Sequence, residues 1–300
     1  MSTLELGFHT DAFTSAYWNF EQCLQWAHAN GVHWIECGAI DGVSWIHGLG
    51  YQPHIALWED PVLLRLKMEK YGVAFSQIDA AFPLSLPEGA SIGVDYVLHT
   101  MRWAKLAGCT KIDTTDDRHR PEGMTDREAM EHMRKIYQRI LRAAEAYQIT
   151  INIEPHGYYT TKPDFLAEML SFVDSPYLRL NMDIGNVFIA GQNPVDFVER
   201  FRDKISLVHV KDIGAPLAAS SRGELTGIAG SHCAIGEGIN AENVRRSVEV
   251  LAAYGYRGVL TIECEADGGP LIERSLAWMR QLLAEVRTKS PARVPRSRRG

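Results

Sequence analysis

Residues Asp126–Glu154, DREAMEHMRKIYQRILRAAEAYQITINIE, hold one complete helix-to-strand unit, and the fold is read outward from it. Met130, Met133, Ile136, Tyr137, Ile140, Leu141 and Ala144 recur at spacings of three and four, with charged residues on the other face. That period predicts a helix over Asp126–Tyr147 with one apolar side facing a core. The run Thr150–Glu154 that follows is short and rich in large apolar side chains, as a buried strand is.

The same unit recurs in both directions. Strands are expected at Leu4–Phe8, Val32–Cys37, Ala74–Ile78, Lys111–Thr114, Thr150–Glu154, Leu178–Met182, Ser206–Val210 and Val259–Cys264. Helices are expected at Phe20–Ala29, Pro61–Tyr71, Val94–Ala107, Asp126–Tyr147, Pro163–Val173, Pro194–Phe201, Ala241–Tyr254 and Leu271–Val286. Gly31, Gly72, Gly108 and Gly255 stand where a helix stops before a strand begins, and Pro194 after Asn193 is a helix start. No Gly/Ser-rich or Pro-rich linker divides the 300 residues. Eight strand-helix units in alternation predict an α/β chain folded as a single (β/α)8 TIM barrel over residues 1–288. An open doubly wound sheet would carry a GxGxxG turn after its first strand, where this chain has His9-Thr10-Asp11-Ala12.

Composition narrows the functional classes. The chain is 46% apolar and 23% charged, in the range of ordinary globular proteins, and lacks an apolar run long enough to span a bilayer. Its net charge of -6 argues against a nucleic-acid partner. Cys23, Cys37, Cys109, Cys233 and Cys264 are scattered and odd in number, which suits reduced thiols in the cytoplasm, and Met1–Glu5 lacks the order of a signal peptide. The segment from Lys289 to Gly300, KSPARVPRSRRG, is basic and nearly free of apolar groups, so it reads as a disordered tail, with anion binding as the alternative.

Reactive groups in such a barrel project from the C-terminal strand ends. Strands five to eight end in INIEPH, NMDIGN, LVHVKD and TIECE, so Glu154, Asp183, His209 and Glu263 fall at consecutive ends. Neighbouring strands run about 4.8 Å apart, so these side chains can converge on one point. Three carboxylates there would repel one another unless a cation lay between them. Oxygen donors with one imidazole suit Mn2+ best, with Mg2+, Co2+ or Zn2+ as alternatives. Any single acid of this set would pass for a solvated loop residue; the ordered set does not.

Glu154, Asp183, His209 and Glu263 in these contexts resemble the metal ligands of the xylose isomerase-like barrels, the sugar phosphate isomerase/epimerase superfamily of ketose 3-epimerases, hydroxypyruvate isomerases and inosose dehydratases. The loop Ala234–Asn240, AIGEGIN, is similar to that superfamily's GxG turn. The resemblance covers nearly the whole barrel. It implies a bound divalent metal, a sugar or keto sugar as substrate, and removal of a proton next to a carbonyl, with Glu154 and Glu263 as proton-exchanging ligands. His156 adds a base near neutral pH where the epimerases tend to carry other residues, and Asn186 stands where they often show histidine. A Glu-x-His pair ending strand five is similar to C-glycoside deglycosidases and related lyases on 3-keto sugars, which implies β-elimination as the alternative outcome.

Several other residues lie near the same mouth. Lys211 either neutralises a developing oxyanion or forms a salt bridge on the barrel wall. Asp212, Asn186, Arg222, Trp45 and His9 are candidates for substrate binding, Arg222 as a phosphate clamp and His9 with a structural role as its alternative. Glu36 and Gln77 read as supporting residues. The long connection from Ala39 to Trp58 carries Trp45, Tyr51 and Trp58, which stack either on a sugar or on a neighbouring subunit, whether a second copy of the chain or another protein. A phosphodiesterase of the endonuclease IV type would need several early histidines that strands three and four lack, and a catalytically silent barrel in a larger complex would not need the ligand set.

Overall fold

A computed structural model describes residues 4–16, 18–41, 53–224, 226–227, 230–265 and 268–289. Trp45, Tyr51 and the tail from Ser290 onward lie outside the described residues. The strands are β1 (Leu4–His9), β2 (Trp34–Ile40), β3 (Ile55–Ala56), β4 (Ala74–Pro83), β5 (Lys111–Thr115), β6 (Thr150–Ile153), β7 (Leu178–Asp183), β8 (Ile205–Val210) and β9 (Gly258–Ile262). The helices are α1 (Phe20–Ala29), α2 (Pro61–Tyr71), α3 (Ile92–Ala107), α4 (Asp126–Tyr147), α5 (Pro163–Met169), α6 (Ile184–Ile189), α7 (Pro194–Phe201), α8 (Ala215–Ser221), α9 (Ala241–Tyr254) and α10 (Gly269–Lys289).

All pairings are parallel. β1 pairs with both β2 and β9, so the sheet closes on itself, and the two-residue β3 only adds to the edge of β2. The remaining eight strands form a single (β/α)8 barrel. Helix α4 shows why. Its buried face is Ala129, Met130, Met133, Ile136, Tyr137, Ile140, Leu141 and Ala144, as the period predicts, and a capping box of Thr125 and Glu128 starts it. Gly72 and Gly108 end α2 and α3 at φ 65° and 81°, where a side chain would be strained.

Two short helices, α6 and α8, interrupt segments expected to be loops, because six or seven residues carry too little periodicity to read. No helix among the described residues is long and apolar enough to cross a membrane. Cys23, Cys37, Cys109 and Cys264 are buried, Cys233 is half-buried, and all five thiols are free.

Strand register sets which side chains share a level. His9 lies beside Glu36, Glu36 beside Gln77, Asp79 beside Asp113, Asp113 beside Asn152, and Asp183 beside His209. A barrel interior is usually filled by branched apolar side chains. Here polar ones fill its upper part, and Glu36, Gln77, Asn152 and Asn181 are fully buried.

Candidate metal and proton-transfer site

The four strand-end residues converge. Glu154, Asp183, His209 and Glu263 each offer one ligand atom, and these atoms all lie within 4.8 Å of one another. His209 Nδ1 sits 2.8 Å from Glu154 Oε1, 3.0 Å from Glu263 Oε2 and 3.8 Å from Asp183 Oδ2. Its other nitrogen, Nε2, donates to Glu36 Oε1 at 2.9 Å. Asp183 divides its oxygens: Oδ1 accepts the Asn186 backbone N–H at 2.7 Å and so caps α6, leaving Oδ2 toward the cluster.

A divalent ion fits this donor set. Asp183 Oδ2 and Glu263 Oε2 make no hydrogen bond although both are buried, and such atoms ordinarily have a partner. Electrostatics point the same way. Burial and the neighbouring Glu263 and Glu154 push the Asp183 carboxyl well above its usual range against the pull of Lys211. Burial also opposes the charges on Glu154 and Glu263, yet their cationic neighbours prevail. His156 and His209 hold Glu154 at about 2, and Lys211 and His209 hold Glu263 well below the carboxylate range. For His209, burial is outweighed by Glu36, Glu263 and Glu154, which raise its pKa. The cluster thus has more carboxylates than its own cations satisfy, and a divalent ion would remove the deficit.

His156 stands beside this set, with Nδ1 3.1 Å from Glu154 Oε2. Burial opposes its protonation and the Glu154 carboxylate outweighs that, so its pKa is raised. The loop bearing it is clamped. Thr160 Oγ1 accepts the backbone N–H groups of His156 at 2.9 Å and Gly157 at 3.0 Å and donates to Asp116 Oδ1 at 2.6 Å. Lys211 is buried, with Nζ 2.8 Å from Glu263, 3.3 Å from Glu265 and 3.8 Å from Asp183, so its salt bridges lie within the site. Asn186 reaches it through Oδ1 at 3.4 Å, while its Nδ2 is buried without a hydrogen bond.

On the opposite wall His9 Nδ1 accepts the Asp11 N–H at 3.2 Å, and its ring lies 6.1 Å from that of His209. Asp11 also faces His54, whose Nε2 is 3.3 Å from Oδ1. His54 accepts the Gly38 N–H at 3.1 Å through Nδ1, which leaves its proton on Nε2. Sequence reasoning missed His54, Asp116 and Glu265. Each sits in a loop without a motif, and only Glu265, two residues after Glu263, offered a signal.

Two expected substrate residues do other work. Asp212 is fully buried, and its carboxylate accepts the backbone N–H groups of Ile213 at 2.8 Å, Gly236 at 2.9 Å, Gly238 at 2.9 Å and Asn240 at 3.0 Å. Its lone pairs are spent on fixing the AIGEGIN loop, so it has none to offer a sugar. Arg222 lays its guanidinium on the Phe188 ring at 4.4 Å and donates to the Phe188 carbonyl, so it packs on α6 rather than forming a phosphate clamp. Of the aromatic stripe, Trp58 is exposed, and Trp45 lies outside the described residues.

A family model for the xylose isomerase-like TIM barrel matches residues 24–282. An inosose dehydratase of Clostridium botulinum (strain Eklund 17B / Type B) is 31% identical over 117 residues, which are 37% of this chain and 38% of that protein's length. Among solved structures, a D-tagatose 3-epimerase-like protein superposes with a TM-score of 0.75 at 21% identity, covering 95% of this chain and 99% of that one. A crystal structure of IOLI protein with a bound zinc atom gives a TM-score of 0.71 at 13% identity, covering 94% and 99%. At these identities the superpositions speak for the fold. With the family model spanning most of the barrel, the chain belongs to the xylose isomerase-like TIM barrel family.

Proposed function

We propose that this protein is a divalent-metal-dependent enzyme that removes the proton α to the carbonyl of a keto sugar, with isomerisation or epimerisation as the outcome. One observation carries the reading: Glu154, Asp183, His209 and Glu263 gather their ligand atoms within 4.8 Å, and His156 stands just outside that set against Glu154. These four residues would hold the ion, and Mn2+ suits three carboxylates and an imidazole, with Mg2+, Co2+ or Zn2+ as alternatives. When bound, the ion supplies Lewis-acid polarisation of a carbonyl and its neighbouring hydroxyl.

The remaining work falls to side chains. Glu154 and Glu263 come from β6 and β9, either side of β7 and β8, and so can address opposite faces of a small substrate. His156, oriented by Glu154, takes the proton from the α carbon. Return of that proton to the neighbouring carbon, with a hydroxyl proton passing between the two oxygens, gives the isomer; a second proton supplied to the same carbon from the other face, the side that Glu263 addresses, gives the epimer. Lys211 steadies the Glu263 carboxylate, and Asn186 Nδ2, buried without a partner, and His9 would bond sugar hydroxyls. The partner required is a small keto sugar, with no role for nucleic acid or membrane.

A second reading, β-elimination of the aglycone from a 3-keto glycoside or of water from an inosose-type keto sugar, is favoured by the His156–Glu154 pair and by the inosose dehydratase likeness. There the proton leaves by the same route and the β substituent departs instead of the carbon being reprotonated.

Metal analysis of chelator-free protein tests the common core: about one equivalent of Mn2+ or a similar ion is expected, and about three of Zn2+ would instead indicate a nuclease-type centre. Solvent deuterium exchange into candidate keto sugars tests proton removal. Glu154→Gln and His209→Ala are expected to lose metal, and His156→Ala to keep metal and lose exchange. Normal exchange by His156→Ala would transfer the base role to Glu263, and absence of metal from the wild type would refute the reading.

A further inference from the structure

The metal site does not end at Glu36. Below it, polar side chains continue down the barrel axis where apolar packing is the norm. Gln77 Nε2 donates to Glu36 Oε1 at 2.7 Å. Gln77 Oε1 accepts from Asn152 Nδ2, and Asn152 Oδ1 accepts from Ser206 Oγ at 2.6 Å. At the floor, Lys111 Nζ donates to the Ser206 carbonyl at 2.7 Å. The links come from β4, β6, β8 and β5, so they tie together strands far apart in sequence.

Each amide in this line has one workable orientation. Turning Gln77 over would set its carbonyl against the Glu36 carboxylate and its NH2 against that of Asn152; turning Asn152 over would set its carbonyl against that of Gln77. The consequence reaches His209. A carboxylate held by Gln77 from one side offers its oxygen to Nε2–H, so in the neutral ring that would ligate a metal the proton stays on Nε2 and Nδ1 faces Glu154, Asp183 and Glu263 as the donor atom.

We infer that Gln77, Asn152 and Ser206 are positioning residues that act through Glu36 to fix the ring orientation and tautomer of His209 for the metal, an inference that rests on the metal reading above. The line is an alignment device rather than a proton path. Gln77 and Asn152 are fully buried, where an apolar side chain would cost less to bury.

Zn2+ is the probe, because it is spectroscopically silent and permits NMR of the loaded protein. Affinity is measured by competition with a chromophoric chelator, and the His209 Nε2–H is followed as a slowly exchanging, downfield imidazole proton with its nitrogen shift. Gln77→Met keeps the volume and removes both bonds; it is expected to weaken Zn2+ binding about 10–100-fold and to abolish the protected Nε2–H. Ser206→Ala, at the far end, is expected to weaken binding about 3-fold, the loss of one neutral hydrogen bond, and Ser206→Thr to restore it. The Ser206 pair decides the matter if Gln77→Met does not fold. Wild-type affinity together with an unchanged Nε2–H signal in Gln77→Met and Ser206→Ala would overturn the inference while leaving the metal reading intact. A wild type that binds no Zn2+ would overturn both.

Discussion

Adding one carbon at Gly157 is the sharpest probe of the proton-transfer loop. A Cβ built there would lie 2.2 Å from Asp116 Oδ1, 2.5 Å from its Cγ and 2.7 Å from the Asp117 carbonyl oxygen. None of these neighbours can yield freely. Asp116 is buried and accepts both the Tyr159 N–H and the Thr160 hydroxyl at 2.6 Å, and that hydroxyl in turn holds the His156 and Gly157 amides. Gly157→Ala must therefore push Asp116 off its donors or move the His156 backbone. Overpacking of this kind costs about 1–3 kcal/mol. Partial loss of the two bonds to a carboxylate adds roughly 1.5–3 kcal/mol. The expected destabilisation is about 3 kcal/mol, which in a chain of this size lowers Tm by roughly 5–10 °C. A shift of about 1 Å in His156 is expected to cost on the order of 100-fold in proton exchange. Metal affinity is expected to be unchanged, because Glu154 is held independently by its N–H to the Thr114 carbonyl at 2.9 Å. Thermal denaturation, deuterium exchange and chelator competition read the three effects separately. An alanine variant with wild-type Tm and wild-type exchange would refute the claim that the Asp116–Thr160 clamp holds His156.

Three further outcomes are expected. Mn2+ at about 100 times its Kd should stabilise the wild type by about 2.7 kcal/mol in denaturant titrations and leave Asp183→Asn, which lacks one carboxylate charge, largely unaffected; equal stabilisation of both proteins would place the ion elsewhere. Burial, against an opposing pull from Asp11, lowers the His54 pKa from 6.5 to about 4. The neutral ring is the native form, so its contribution is present above pH 6.5 and is lost as pH falls through 4. Against His54→Asn, which removes the titration, the wild type should lose roughly 3 kcal/mol of relative stability between pH 7 and 4, and a constant difference would contradict the buried neutral assignment. Asp212→Asn would turn an NH2 toward backbone donors in the AIGEGIN loop; a loss of about 2–4 kcal/mol with unaltered metal affinity is expected, whereas weakened metal binding alone would return Asp212 to the site.

Much of this was legible in the linear chain because barrel units are local. The α4 face repeats Met130, Met133, Ile136 and Tyr137 at helical spacing, and glycines mark the stops, so element order follows from short-range chemistry alone. The ligand candidates were legible for the same reason. Each lies at or just after the end of an apolar strand, and alternation around a closed barrel brings consecutive ends together.

What the sequence could not decide is where a side chain spends its hydrogen bonds. Asp212 and Asp183 look alike, each an acid at a strand end, yet one is saturated by the neighbouring Ile213 N–H and three backbone donors of a distant loop and the other keeps an oxygen for the cluster. Arg222 could be given a charge but not the Phe188 ring it covers. Gln77 and Asn152, with β5 between their strands, meet only because the sheet curls into a barrel. Periodicity is a property of neighbours along the chain, so it determines the elements and their order; donor and acceptor pairing is a property of neighbours in space, and only the closed barrel fixes it.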